Sequence, residues 1–303
     1  MSVNSEISWT DATWNPCGGC EKISAGCKHC YAIPVVTGLV NKLPEKARAF
    51  YADLVQDGNW TGVVKLNEGL LDRPLRWQAP KRIFVASLSD PFHHNLSFSA
   101  IGRIFAVMAS SPRHTYQLLT KRPARMAEFF RTVSLATVID QARSYVSQIS
   151  FQGKEQAYDH LLEIKNKTWP LPNVQLGTSV EDQRSADTRI PLLIESPAAI
   201  RFLSCEPLLG HVELPVAYLG KARWSDCVDA DYGPGRERLP GGIQWVICGG
   251  ESGKGHRAMN LAWARHLRDQ CVAAGVAYFF KQSSGAKAGM EPMLDGVEWK
   301  QFP

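Results

Sequence analysis

The chain has 303 residues, of which 45% are hydrophobic and 21% charged, with a formal net charge of +5 at pH 7. These proportions exclude a disordered, collagen-like or low-complexity chain and describe a folded protein with room for a substantial core. No apolar run is long enough to span a bilayer and the first thirty residues lack the pattern of a secretory leader, so the expectation is a cytoplasmic protein with no membrane partner.

In chain order, a first strand is expected somewhere in Ile7 to Trp14. It leads into Asn15-Pro16-Cys17-Gly18-Gly19-Cys20 and on to Cys27-Lys28-His29-Cys30-Tyr31-Ala32, so four of the eight cysteines crowd into one glycine-bearing loop. Residues 45–56 read as a helix stopped by Asp57-Gly58, and 65–76 as a short helix. Then a pattern recurs: a short apolar run, a polar string, a helical stretch. The runs are 81–87, 115–119, 174–177, 199–203, 243–248 and 277–280. Asn260 is placed to cap a helix whose inner stripe is Leu261, Ala264, Leu267 and Cys271.

Short strands too apolar to face water on either side imply a parallel sheet covered on both faces. Their alternation with helices predicts an α/β chain, a partial (β/α) TIM-like barrel in one domain over 1–303. The cysteine loop follows its first strand, and long insertions fall at about 122–173 and 210–242. Each strand ends in polar residues, on the side where such barrels build their sites. The plain alternative is that these residues only open solvated loops.

The cysteine spacing, Cys17-x2-Cys20-x6-Cys27-x2-Cys30, allows two readings. Paired CxxC motifs suit a tetrahedral structural zinc. Alternatively Cys20, Cys27 and Cys30 hold a [4Fe–4S] cluster with one iron open. A position at the strand ends, among other polar groups, favours chemistry over a structural knuckle.

The run Asn-Pro-x-x-Gly-Cys followed by Cys-x-His-Cys-Tyr-Ala resembles the cluster loop of radical S-adenosylmethionine enzymes, closest to the branch containing spore photoproduct lyase. It is still more similar to a phage-associated family of uncharacterised function. Ser89-Asp90-Pro91, Leu119-Thr120-Lys121-Arg122-Pro123, Ser204-Cys205-Glu206-Pro207-Leu208-Leu209-Gly210, Gly249-Gly250-Glu251-Ser252-Gly253 and Leu294-Asp295-Gly296 extend the likeness over nearly the whole chain. The resemblance implies a [4Fe–4S] cluster on Cys20, Cys27 and Cys30, with S-adenosyl-L-methionine on the open iron and an external electron donor. It further implies a 5′-deoxyadenosyl radical that abstracts hydrogen from substrate, and His29 packed near the cofactor adenine. The gap after the first ligand is six residues where the superfamily commonly has three, and Cys17 stands where relatives more often carry an aromatic residue.

The remaining candidates each have a bland counterpart. By the resemblance, Ser89 and Asp90 lie where the cofactor amino group is contacted, and a carboxylate facing an ammonium is chemically apt; the counterpart is an Asp-Pro turn. Ser179 and Glu181 correspond to ribose contacts, against a helix cap. Lys121, with Arg122, could meet a carboxylate or phosphate, or be a solvated loop cation. Gly249, Gly250 and Glu251 would let backbone amides approach a cofactor, or form a tight turn. Cys205 and Glu206, with Lys281, are the catalytic candidates, against a buried thiol used as apolar filler. His93-His94 is a tempting pair, but adjacent histidines point apart on a strand and two alone make a poor metal site. Trp9, Trp14, Trp60, Trp77 and Trp169 could stack bases, or belong to the core.

The expected function is therefore a radical S-adenosylmethionine enzyme acting on a modified base or nucleotide in DNA, through rearrangement or repair of a thymine-derived group. The alternative is a zinc-stabilised nucleic-acid-binding protein without radical chemistry.

Overall fold

All seven expected apolar runs fold as strands in a computed structural model, which describes residues 5–220 and 241–303. They are β1 (Ala12–Trp14), β2 (Arg82–Val85), β3 (Thr115–Thr120), β4 (Val174–Ser179), β5 (Ile200–Cys205), β6 (Trp245–Gly249) and β7 (Ala277–Gln282). The chain divides into two units, Met1–Ile23 with Cys30–Val174, and Ser24–His29 with Gln175–Pro303.

In the first unit β1 pairs parallel with β2, Ala12 opposite Ile83, and β2 parallel with β3, Arg82 opposite Thr115. In the second, β4, β5, β6 and β7 pair parallel in chain order, with Gln175 opposite Ile200, Trp245 opposite Phe202 and Trp245 opposite Ala277. Parallel strands need long crossovers, and helices supply them. The helices are α1 (Ala32–Lys42), α2 (Phe98–Ala109), α3 (Pro123–Thr132), α4 (Leu135–Gln148), α5 (Lys154–Glu163), α6 (Gln183–Ile194) and α7 (Leu261–Ala274). The pattern of elements is that of a partial α/β barrel.

The core follows from the strand composition. Trp14, Tyr116, Phe105 and Phe129 are fully buried in the first unit, and Phe202, Trp245, Phe279 and Phe280 in the second. Trp9 and Trp14 are core residues, and Trp169 packs edge-on against Phe105 and Phe130, so none of the three is a base platform. Asn260 caps α7, its side chain accepting from the Ala262 amide, and Ala264, Leu267 and Cys271 are the buried stripe.

Two local expectations change. Residues 45–56 hold only a single helical turn, Glu45–Arg48, after which Tyr51 and Leu54 turn inward to pack with Ala32, Val36 and Leu88. Burying those side chains outweighs the propensity that would have continued the helix. Residues 65–76 form a strand pair, Lys65–Leu66 with Cys17–Gly18, and two 3-10 turns instead of one helix. The stretch 122–173 is three helices. Of the expected insertion at 210–242, residues 221–240, which include Cys227, lie outside the described residues. No helix among the described residues is long and apolar enough to cross a membrane.

Candidate metal centre

The cysteine loop does not assemble as the spacing suggested. Cys17 is buried in the short pair with Leu66, and its thiol lies 3.0 Å from the Ser89 hydroxyl. Gly19, two residues on, has φ +93, and a Cβ there would run into the Val63 carbonyl, so only glycine fits. The Cys20 thiol points to the Glu21 carbonyl at 3.5 Å and accepts from Arg122 Nη1 at 3.9 Å. Cys27 ends a 3-10 turn, Ala25–Cys27, with its sulfur 3.6 Å from the Ser24 hydroxyl. Cys30 packs on the apolar cluster of Ala32, Val36, Tyr51, Leu54 and Leu88. Burial pushes the Cys17 and Cys20 thiols up to about 12, which keeps both protonated rather than thiolate.

Among the described residues, the groups of three or more His, Cys, Asp or Glu whose ligand atoms converge within 4.8 Å are Glu21, His93 and His94, and His211, Glu213 and His266. Neither contains a cysteine. This overturns the [4Fe–4S] cluster on Cys20, Cys27 and Cys30, the S-adenosyl-L-methionine bound through it, and the radical enzyme built on both. The six-residue gap is the physical reason: it ends in the 3-10 turn Ala25–Cys27, and Cys20, Cys27 and Cys30 settle beside Arg122, Ser24 and an apolar cluster respectively.

The first group stands at the C-terminal ends of the first unit's strands. Asp90 and Pro91 turn the chain after β2, so His93 and His94 lie on a bend rather than a strand, their rings stacked at 4.3 Å. That geometry removes the objection that neighbouring histidines diverge. Glu21 Oε1 lies 3.7 Å from His93 Nε2, 3.5 Å from His94 Nδ1 and 3.2 Å from Arg122 Nη2. Tetrahedral zinc with bonds of about 2.0–2.1 Å separates its donors by about 3.3 Å, so small side-chain movements close the set.

His93 is fully buried, and its Nε2 has no hydrogen-bond partner. Burial, with Arg122 nearby, lowers its pKa to about 4, so the ring is neutral at pH 7. The Asn95 amide donates to Nδ1 at 3.1 Å, which places the ring proton on Nε2. Coordination through Nε2 moves that proton and gives up the Asn95 bond, a cost of about 1 kcal/mol.

Asp90 anchors the surroundings. It accepts from the Phe92 amide at 2.9 Å, the Thr120 hydroxyl at 2.7 Å, the Lys121 amide at 3.0 Å and Arg122 Nη1 at 3.0 Å. Burial opposes the Arg122 charge, but Asp90, Cys20 and Glu21 together outweigh it and raise the guanidinium pKa. Ser89 donates to the Cys17 carbonyl at 3.0 Å. Asp90 thus holds the Lys121 backbone and Arg122, while Ser89 turns to Cys17.

The second unit holds the other sequence candidates as charge pairs. Glu181 accepts from Arg189 at 2.8 Å and from the Ser24 hydroxyl at 2.8 Å, while Arg189 also reaches the carbonyl of buried Ser179. Glu251 accepts from Arg257 and lies 2.9 Å from His29 Nδ1. Burial alone would raise the Glu251 carboxyl, but the Arg257 and His29 bonds outweigh it and bring it down to about 2. Lys281 pairs with Glu206 at 2.6 Å, over Gly249. Gly250 sits so close to Ser284 that a Cβ would strike its amide nitrogen. Cys205 is fully buried, and burial holds its thiol well above the ordinary range.

Glu21, Arg189 and Arg257 carried no spacing signal, because each meets its partners only through the fold. The doublet His93-His94 was visible, but the bend that aligns it was not.

The chain belongs to a family described as protein of unknown function (DUF5131), whose sequence model matches residues 4–303. No curated protein and no solved structure matches the chain.

Proposed function

We propose that the chain is a zinc-stabilised nucleic-acid-binding protein that does no radical chemistry, with its ion held by Glu21, His93 and His94. The observation that carries this reading is the convergence of these three donors beside Arg122, with His93 Nε2 buried and unpartnered. Two imidazoles and a carboxylate are a zinc donor set that leaves a coordination position open. An ion there and the Arg122 guanidinium together present positive charge suited to a phosphate.

The same strand ends carry one exposed aromatic ring, Tyr31. Tyr31 is 53% exposed, and its hydroxyl donates to the Ser87 carbonyl at 2.7 Å, which tethers a ring that a base could stack on. Lys22 and His94 are exposed beside Glu21 in the bend and loop. The overall charge of +5 favours a polyanion over a basic partner. Single-stranded nucleic acid, whose bases are free to stack, is the ligand this combination fits.

The test is fluorescence anisotropy with a labelled single-stranded DNA, using zinc-loaded and chelator-stripped protein across a salt series. Zinc-loaded protein is expected to bind with affinity that falls as salt rises, and stripping or Glu21→Ala to weaken binding at least tenfold. Binding that is absent, or indifferent to zinc and to Glu21→Ala, overturns the reading.

A further inference from the structure

We infer that His211, Glu213 and His266 form a separate zinc-type cation site on the second unit. His211 and Glu213 lie on the segment after β5, and His266 projects from α7. His266 Nε2 lies 2.7 Å from Glu213 Oε2, and His211 Nε2 lies 3.6 Å from the same oxygen. The two imidazoles face each other at 4.3 Å between centroids. All three side chains are open to solvent, so an ion reaches them without any rearrangement of the core.

The arrangement is held in place from both sides. The Glu213 amide donates to Gln183 Oε1 at 2.6 Å, and its carbonyl accepts from Gln183 Nε2 at 3.2 Å. The Leu214 amide donates to Gln270 Oε1 at 2.6 Å, and Gln270 Nε2 donates to the Val212 carbonyl at 3.0 Å. Glutamines on α6 and α7 therefore fix the backbone that carries the carboxylate. Gln270 also lies one turn beyond His266 on the same helix. Pre-positioned donors lose less freedom on binding than donors on a mobile loop.

Two imidazoles compete here for one carboxylate oxygen, and at 3.6 Å the His211 ring does not reach it for a hydrogen bond. A divalent ion coordinated by all three resolves that competition, because each ring then offers a lone pair instead of a proton. Imidazole donors select zinc, cobalt, nickel or copper over magnesium and calcium, which take oxygen ligands. Three protein ligands leave the remaining position to water. The bound ion ties the segment after β5 to α7, which links metal binding to the stability of the second unit.

Cobalt(II) is the probe, since its visible d–d bands report coordination by nitrogen and oxygen. The full-length protein is stripped with chelator and titrated, with thermal unfolding followed in parallel. His211→Ala/His266→Ala is expected to lose one equivalent of cobalt relative to the parent and to lose the metal-induced rise in Tm that this equivalent produces. Glu213→Gln, which keeps the shape, is expected to weaken that equivalent at least tenfold. Glu21→Ala is expected to leave it untouched, so failure of the site in the first unit is read separately. Equal stoichiometry and equal affinity in the parent and the double-histidine variant overturn the inference.

Discussion

The strand ends of the two units handle buried charge in opposite ways. In the second unit Glu181 meets Arg189, Glu251 meets Arg257 and His29, and Glu206 meets Lys281. Each carboxylate is matched by a cation from its own unit. In the first unit Asp90 and Arg122 are matched similarly, but beside them His93 buries a neutral ring whose Nε2 has no partner, facing the more exposed Glu21. Matched pairs give a rigid and electrostatically quiet surface. An orphaned nitrogen next to a half-exposed carboxylate is a place where a ligand gains more than it displaces.

The largest effect that would break this contrast is removal of a cation from the matched unit. Arg189→Met leaves the Glu181 carboxylate buried with its main counter-charge gone, and urea unfolding is expected to show a loss of about 3–5 kcal/mol. A loss below about 1 kcal/mol would mean that the pairing is incidental.

Acid separates the two units next. His114, buried in the first unit with Nε2 bonded to the Pro74 carbonyl, has its pKa lowered by burial from 6.5 to about 4. Between those values the unfolded chain binds a proton that the folded chain refuses, so stability falls as pH drops from about 6.5 towards 4, by about 2 kcal/mol at pH 5. His114→Gln is expected to flatten that slope in urea titrations at pH 7, 6 and 5. Glu251 in the second unit behaves otherwise. Its carboxyl is lowered from 4.5 to about 2, so its contribution is intact above pH 4.5 and fades only as pH falls towards 2. Hydrogen exchange at pH 5 is therefore expected to rise in the first unit before the second.

Smaller effects sharpen the comparison. Ser89→Ala removes the hydroxyl between the Cys17 thiol and carbonyl, for about 1 kcal/mol of stability in the same unfolding measurement. Glu21→Gln is expected to change stability by less than about 0.5 kcal/mol, since the side chain is 39% exposed. The same variant should weaken zinc at least tenfold by calorimetry. Small stability change with large metal loss is the signature of a ligand rather than a structural prop.

Much of the fold was legible from local pattern. The seven strands and the Asn260 cap follow from apolar runs ending in polar strings, because a parallel strand buried on both faces has little compositional freedom. The cysteine loop misled for an equally local reason. Spacing reports how far apart thiols lie along the chain, but not where intervening turns aim them. Six residues between Cys20 and Cys27 admit many paths, and the one taken sends Cys20 to Arg122 and Cys30 into an apolar cluster.

By itself the sequence determined the strand–helix rhythm and which side of each strand carries polar groups, since periodicity and burial act within a few residues. Only the tertiary structure decided which of those groups meet. Glu21 lies more than seventy residues from His93, and His211 more than fifty from His266. Such pairings depend on closing long loops around a packed core, where many small burial terms choose the partner and no short motif records the choice.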